Sequence, residues 1–377
     1  MSDGSSNPTV AFILEQTLGH VTHADNLRNL LPRDPRIHAE LCPIPYDVHG
    51  WVSHLPGYSN WTVRAGIRAR RAIRSVTAEH DVRALFIHTQ VPSILAKRWV
   101  RRVPTIVSID ATPLQYDQFG SHYAHERSSQ RVERIKWRLN CSVFAAAAHI
   151  VSWSEWSKAS LVADYGVPAG KITVVAPGVD TAKWSRPSTP PANGPPVKIL
   201  FVGGDLERKG GSHLVEAVRR IREAAASQSI GATVELHLVT GADLPSQPGV
   251  FVHHGLRPNS PELIGLYHEA DIFCLPTLGD CLPMVLSEAG AARLPLVATN
   301  VGALPEIVQD GRTGLIVEPG SVDGLIRTLS RLIDDPDLRR KMGHNAAALV
   351  ADQFDAAKNS TQIVDVILGV VGGGRDA

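Results

Sequence analysis

The amino-acid sequence predicts an α/β protein built of two doubly wound domains that face each other across a cleft. Three observations predict it. Short apolar runs alternate with amphipathic stretches, the pattern of parallel strands covered by helices on both faces. Near the middle this alternation is interrupted by Pro187–Pro196 (PSTPPANGPP). Proline lacks a backbone donor and favours extended conformations, so the stretch reads as a linker. The two sides also differ in charge: residues 1–190 hold 22 Lys and Arg against 15 Asp and Glu, and residues 191–377 hold 16 against 22.

In the first domain, 1–186, strands are expected over Thr9–Leu14 (TVAFIL), Ala84–His88 (ALFIH), Thr105–Ile109 (TIVSI) and His149–Ser152. Helical periodicity appears at 22–31, 60–79, 92–101 and 127–147. After the linker 187–196, a second domain over 197–350 has strands at Lys198–Val202, Val234–Thr240, Val250–His253, Ile272–Leu275 and Leu296–Ala298. Its helices fall near 211–226, 261–269, 283–292 and 322–333. The tail 351–377 carries one more amphipathic helix, Ala351–Leu368, expected to pack back across the domains. Asp335-Pro336-Asp337 reads as a loop between C-terminal helices rather than a metal-binding pair.

The composition is that of a globular protein: of 377 residues, 44% are hydrophobic and 20% charged. Disordered, collagen-like and small disulfide-stapled classes are excluded. The longest mostly apolar stretch, Cys141–Trp153, is broken by Ser142, His149 and Ser152. It falls short of the ~18 residues a spanning helix needs. The start, MSDGSSNP, lacks the basic and apolar regions of a secretory signal. Cys42, Cys141, Cys274 and Cys281 form no CxxC pair, which suits a reducing compartment, argues against a zinc site and makes the cytoplasm the expected location.

The most informative stretch is Leu275–Gly290 (LPTLGDCLPMVLSEAG). A strand ends at Leu275, a loop follows, and Pro283 suits the first turn of a helix. Asp280 then lies in the loop and Glu288 in the helix. The amides from Leu282 to Val285 fall at a helix N-terminus, where unpaired N–H groups and the dipole attract phosphate. The same spacing also suits Asp280 as a helix cap and Glu288 as a solvated charge. A second stretch, Phe201–Gly211 (FVGGDLERKGG), joins a strand to a helix. Gly203 and Gly204 would let the backbone approach a ligand. Arg208 and Lys209 put positive charge at a helix start, which the dipole opposes and a bound anion would explain. A plain turn with two solvated bases is the alternative.

Together these stretches resemble the large retaining glycosyltransferase family of GT-B fold, with two Rossmann-like domains, known as family 4 or group 1. The family pattern is Glu, seven residues, then Glu followed by Ala; here it reads Asp280 to Glu288-Ala289. Tyr267–Thr277 (YHEADIFCLPT), Leu294–Gly320 and Ser154–Asp180 are similar to the family's flanking segments. The likeness covers most of the chain and is strongest from Val197 to Pro319.

The resemblance implies roles. Glu288 would bind the ribose hydroxyls of a nucleotide-diphosphate sugar and Asp280 the hydroxyls of the transferred sugar. The backbone over Leu282, Pro283, Met284 and Val285 would hold sugar and phosphate. Lys209 would neutralise the diphosphate, beside Gly203, Gly204 and Arg208. The nucleotide sugar is a co-substrate, and neither a separate cofactor nor a metal is implied. Breaking a sugar–diphosphate bond builds an oxocarbenium-like centre and a charged leaving group, so fixed cations and amides lower the barrier. No residue is an evident nucleophile. The resemblance implies front-side transfer in which the departing phosphate helps take the acceptor's proton.

Three positions depart from the family. Asp280 stands where Glu is usual, one methylene shorter. Gly204 stands where the family has Arg, and Arg208 is the candidate replacement. Asp110, in IDATP, stands where many members carry a His near the reacting sugar; it is a catalytic candidate, with a cap or turn residue before Pro113 as the plain alternative. Leu18-Gly19-His20-Val21-Thr22 aligns with the family's glycine loop near donor phosphate and acceptor, which marks Gly19. It is not a GxGxxG fingerprint, so no nicotinamide cofactor is indicated. His88 ends a strand on the cleft side, as an acid–base candidate or a structural residue.

Basic residues cluster in the first domain: Arg64, Arg68 and Arg71 near Trp61; Lys97, Arg98, Arg101 and Arg102 around Trp99; Arg127, Arg131, Arg134 and Arg138 near Trp137. Such segments suit either a solvated face or peripheral contact with an anionic membrane at its inner face. No nucleic-acid recognition module is visible. The reading is a retaining, metal-independent glycosyltransferase of carbohydrate biosynthesis acting on a glycan, lipid-linked or small-molecule acceptor. A sugar-nucleotide epimerase of the same fold and a non-catalytic nucleotide-sugar-binding protein are the alternatives.

Overall fold

The computed structural model describes residues 7–16, 20–46, 60–120, 129–187, 196–227 and 234–373. Contacts divide the chain into two units. The first holds residues up to Gln118, a stretch ending at Pro177, and the tail from Ala356; the second is built on Gly178–Asp355.

The first unit runs β1 (Thr9–Gln16), α1 (His20–Leu30), β2 (His38–Pro45), α2 (Trp61–Glu79), β3 (Val82–His88), α3 (Gln90–Val100), β4 (Thr105–Ile109), α4 (Pro113–Gln118), α5 (Gln130–Ala146), β5 (His149–Ser152), α6 (Glu155–Tyr165) and β6 (Ile172–Val174). The strands form one parallel sheet in the order β2-β1-β3-β4-β5-β6. Successive side chains of a strand point to opposite faces, and both faces here are covered. Val10, Phe12 and Leu14 pack with Leu27 and Leu31 on one side. Ala11 and Ile13 pack with Ala65, Ala69 and Ile73 of α2 and Ala96 and Val100 of α3 on the other. That two-sided burial is why the strand reads as an unbroken apolar run. Asn60 starts α2 by accepting the amide of Thr62 at 2.9 Å, and Ser154 starts α6 by accepting that of Ser157 at 3.0 Å.

The second unit runs α7 (Thr181–Trp184), β7 (Val197–Val202), α8 (Gly211–Ser227), β8 (Val234–Val239), β9 (Val250–His253), α9 (Pro261–Glu269), β10 (Ile272–Leu275), α10 (Met284–Ala291), β11 (Leu296–Thr299), α11 (Leu304–Ile307), β12 (Gly314–Val317), α12 (Val322–Asp334) and α13 (Pro336–Gln353). Its sheet is also parallel, in the order β12-β11-β10-β7-β8-β9. The final helix, α14 (Ala356–Gly373), returns to the first unit. There Ile363, Val364 and Ile367 complete the core around Phe12 and Phe86.

Each sheet reverses its direction of growth once, between β1 and β3 in the first and between β7 and β10 in the second. In open α/β sheets, ligands bind at the carboxyl ends of the strands beside such a reversal.

Several expectations are corrected. The unit boundary falls at Pro177/Gly178, ahead of the proline-rich stretch, whose residues 188–195 lie outside the described residues. The reason is packing. Trp184 is buried and its Nε1 donates to Asn259 Oδ1 at 3.2 Å. Arg186 donates to the carbonyl oxygens of Tyr267 and Ala270. The expected helix Ala351–Leu368 is instead the end of α13 and most of α14. They are parted at Phe354-Asp355, where the Phe354 carbonyl accepts the Val179 amide at 2.9 Å. Asp335-Pro336-Asp337 is the start of α13: Asp335 caps it by accepting the Leu338 amide at 2.8 Å, and Asp337 pairs with Arg340. Strands β2, β6 and β12 were not expected.

Candidate functional site

The loops after β7 and β10, at the reversal of the second sheet, are stitched together. The Leu278 amide donates to the Arg208 carbonyl at 2.8 Å, and Thr277 Oγ1 reaches the same oxygen at 3.2 Å. Across this seam Lys209 Nζ donates to Asp280 Oδ2. Arg208 Nη1 donates to the Gly279 carbonyl at 2.8 Å and lies 4.0 Å from Asp280 Oδ2. The three charged side chains are mostly enclosed, between 11% and 14% exposed. The alternative of two solvated bases therefore does not hold.

Glycine enters this arrangement in two ways. A Cβ on Gly203 would lie 2.9 Å from the Phe201 ring and 3.0 Å from Lys209 Cγ, so only glycine leaves room for the lysine stem. Gly302, with φ +55°, sits under the Asp280 loop, where a Cβ would stand 2.2 Å from the Asp280 carbonyl. Around Gly204 the same test meets no atom within 4 Å, so that position faces open space.

Asp280 does not cap α10; the residue before that helix is Pro283, with no side-chain cap, and the helix begins at Met284. The amides of Leu282, Met284 and Val285 have no acceptor among the described residues, while Pro283 has no donor to offer. Glu288 is not a solvated charge either: it is 5% exposed and accepts a hydrogen bond from the Tyr267 hydroxyl at 2.9 Å. Burial raises its pKa to about 7, with the Tyr267 hydrogen bond pulling the other way. Tyr267 is fixed in turn by Trp184, edge-on at 5.0 Å, and Phe273, stacked at 5.5 Å. Tyr267 was not singled out from sequence; it stands 21 residues from Glu288, and no helix or strand period links them.

The first unit gathers its own candidates at the reversal between β1 and β3. Asp110 accepts its neighbour Ala111's amide on Oδ1 at 2.8 Å, and its Oδ2 lies 3.2 Å from His20 Nε2. It is a partner of His20, not a cap of α4. His20, His23, His88 and Trp153 pack ring against ring, with centroids 4.9–5.3 Å apart. His88 is fully buried, and neither of its ring nitrogens has a hydrogen-bond partner among the described residues. Glu15 lies buried beside them, accepting from Trp61 Nε1 at 2.7 Å and Thr89 Oγ1 at 2.5 Å. Gly19 lies outside the described residues. Among the described residues no group of three or more His, Cys, Asp or Glu is arranged to hold a metal ion, and all four cysteines are free.

The basic segments do not form one face. Arg64 is buried, with its guanidinium 5.5 Å from the Tyr46 ring and 5.6 Å from that of Trp61. Trp99 packs against the core of the first sheet. On α5, by contrast, Arg131, Arg134 and Arg138 are exposed together with Val132, Ile135, Trp137 and Leu139. Arg127 lies outside the described residues.

Comparison with known proteins bears on the family and the fold. The family model for glycosyl transferases group 1 matches residues 196–335, and that for glycosyltransferase family 4 matches residues 22–183. An MMP alpha-(1->4)-mannosyltransferase of Mycolicibacterium hassiacum is 31% identical over 58% of this chain and 53% of its own length. The chain thus spans about half the length of the first curated relatives it matches. Among solved structures, the sucrose-phosphate synthase of Thermosynechococcus elongatus superposes with a TM-score of 0.75 at 16% identity, covering 97% of this chain and 100% of that one. Anabaena HepE in complex with UDP-glucose gives a TM-score of 0.66 at 15% identity, covering 96% and 99%. The fold is therefore GT-B. Two family models that together match both units, over two reversed parallel sheets, lead to one conclusion: the chain belongs to the group 1, family 4 glycosyltransferases.

Proposed function

We propose that the protein transfers a sugar from a nucleotide-diphosphate sugar to a hydroxyl-bearing acceptor, with retention of anomeric configuration and without a metal. The observation that carries this reading is the seam between the loops after β7 and β10. It sets two cations, Lys209 and Arg208, against Asp280, with Asp205 pairing the same arginine, near the amides of Leu282, Met284 and Val285, which have no acceptor among the described residues. Cations and amides of this kind offset the charge that grows on a departing diphosphate. Asp280 and Glu288 are the acceptors for sugar and ribose hydroxyls. The structural neighbour that holds UDP-glucose supports a nucleotide-sugar donor.

The test begins with thermal unfolding against UDP-, GDP- and ADP-sugars, because a ligand of the folded state raises its stability. The stabilising donor is then incubated with candidate acceptors in a chelator, and the anomeric configuration of the product is read by NMR. Inverted product, or activity restored only by a divalent metal, overturns the corresponding part of the proposal. Free interconversion of the donor without transfer supports an epimerase, and binding without turnover a binding protein.

The acceptor side of the proposal is a lipid-linked molecule met at the cytoplasmic face of a membrane. Val132, Ile135 and Leu139 recur along one side of α5 and are 41%, 57% and 43% exposed, with Arg131, Arg134 and Arg138 exposed between them. Basic helices with exposed apolar residues dock on anionic bilayers, each Lys or Arg contributing about 1 kcal/mol. Among the described residues no helix is long and apolar enough to cross a membrane. The protein should sediment with anionic vesicles at low salt and release at high salt. Replacing Arg131, Arg134 and Arg138 by Gln should weaken this while leaving donor binding intact. Equal binding to neutral vesicles would remove the membrane reading.

A further inference from the structure

The cations of the seam between the loops after β7 and β10 are paired by the chain itself, and the two pairs differ. Asp205 holds Arg208 within a local turn. Its Oδ1 accepts the Arg208 amide at 3.1 Å, and its Oδ2 lies 3.3 Å from Arg208 Nε. The Asp205 side chain is 51% exposed. Water screens so open a pair, and it contributes little. Asp280 holds Lys209 from the other loop. These two side chains are enclosed, 11% and 14% exposed, and Arg208 Nη1 stands 4.0 Å from the same carboxylate oxygen. Where water is largely excluded, charges attract strongly, and a carboxylate stripped of its partner is destabilised.

Asp280 also cannot withdraw. Thr299 Oγ1 donates to the Thr277 carbonyl at 2.6 Å, and the Ala303 amide donates to the Cys281 carbonyl at 2.9 Å. Asp280 Oδ1 itself accepts the Cys281 amide at 3.2 Å. On the other loop, Gly210 follows Lys209 at φ +73°, where a Cβ would collide with the Pro276 carbonyl oxygen. Both loops are pinned, so a ligand meets the lysine and the carboxylate together.

A diphosphate that pairs with Lys209 takes it from Asp280 and brings negative charge towards that carboxylate. An intact nucleotide sugar also brings sugar hydroxyls, which donate to the carboxylate in place of the lysine. The spent nucleoside diphosphate has no sugar hydroxyl to put there. On the glycosyltransferase reading, we propose that Asp280 is a specificity-determining residue, which makes the site favour the intact nucleotide sugar over the nucleoside diphosphate. Specificity is a difference of two affinities, and a carboxylate left without a partner lowers one of them more than the other. The same contrast promotes product release. Once the sugar has gone, Asp280 re-forms its pair with Lys209 and displaces the diphosphate.

The test is calorimetric titration with whichever of UDP-glucose, GDP-mannose and ADP-glucose stabilises the protein most, and with its own nucleoside diphosphate. Asp280→Asn keeps the oxygen that the Cys281 amide needs and removes the charge. It should tighten nucleoside diphosphate binding by about tenfold, the scale of one enclosed charge pair, while nucleotide-sugar binding stays level or weakens. A merely structural defect weakens both ligands, so a gain for one is a sign that such a defect does not produce. Asp280→Glu keeps the charge and should stay closer to the wild-type ratio of affinities. Asp205→Asn, in the exposed pair, should change both affinities alike and by less than about threefold. If Asp280→Asn does not fold, the smaller and neutral Asp280→Ser gives the same reading. A folded neutral variant that binds nucleoside diphosphate no more tightly than the wild type overturns this proposal and leaves the transfer reading standing. So does an equal gain for both ligands, or an Asp205→Asn protein whose ratio shifts as far as that of Asp280→Asn. A wild-type protein that binds none of these nucleotides overturns the donor reading, and this proposal with it.

Discussion

The two reversal points occupy equivalent places in two similar sheets, yet the chain fills them with different chemistry. Between β7 and β10 a lysine and an arginine meet a carboxylate, with backbone amides beside them. Between β1 and β3 three imidazoles and an indole pack together, and the carboxylate of Asp110 touches one of them. Topology decides where strand ends diverge and leave room for a ligand. Side chains decide whether that room answers to fixed charge or to a proton. The first arrangement suits a polyanion; the second encloses its rings and gives one of them a carboxylate partner.

That contrast can be broken most sharply at Lys209. Replacing it by Met should lower kcat by about 10²–10³, the scale of losing one preorganised charge partner, with a smaller loss of donor affinity. Steady-state kinetics at saturating donor measures this, and an unchanged kcat would show that the fixed charge has been misplaced. A smaller effect is expected at the glycines. Gly302→Ala drives a Cβ into the Asp280 carbonyl at positive φ, and should lower stability in urea by about 1–3 kcal/mol. Gly204→Ala, facing open space, should change stability by less than about 0.5 kcal/mol.

The gentlest probe is pH. Glu288 has a pKa raised to about 7 against an ordinary 4.5. The folded protein therefore holds a proton there that the unfolded chain has released. This site's contribution to stability falls as the pH rises from about 4.5 to about 7 and is level above that. Donor binding runs the opposite way, because ribose hydroxyls donate better to a carboxylate. Affinity should rise up to about tenfold through neutrality, with protons released on binding below pH 7. Calorimetry in buffers of different ionisation heat measures both. Tyr267→Phe removes the hydroxyl that favours the charged form and should move the rise to higher pH.

Much of the fold was legible because burial leaves a local trace. β1, β3, β4, β7 and β10 lie inside their sheets with both faces covered, so each reads as an apolar run. The strands that escaped notice, β2, β6 and β12, are all sheet edges. β2 and β6 keep surface exposed, and β2 carries Pro43 and Pro45, which an edge position tolerates; β12 is mostly buried, and the edge strand β9 was expected. The site divides in the same way. Asp280 and Glu288 in one short segment, and Lys209 in another, announce themselves through turn chemistry and a helix start. The bonds that define their surroundings do not: Tyr267 to Glu288 spans 21 residues and His20 to Asp110 spans 90. No periodicity connects positions that only the folded sheet brings together, and the sequence marked Asp110 without its ring.

The return of α14 to the first unit sets an order of assembly. The wall of Val10, Phe12, Leu14 and Phe86 is sealed by Ile363, Val364 and Ile367, yet those residues leave the ribosome only after the whole of Gly178–Asp355. At about 5–20 residues per second, synthesis of the second unit takes on the order of ten to thirty seconds. During that interval the earlier-made half has an open apolar seam while the later-made half already has all its strands. The amino-terminal unit is thus begun first and closed last, and the nascent chain carries that apolar seam until α14 arrives.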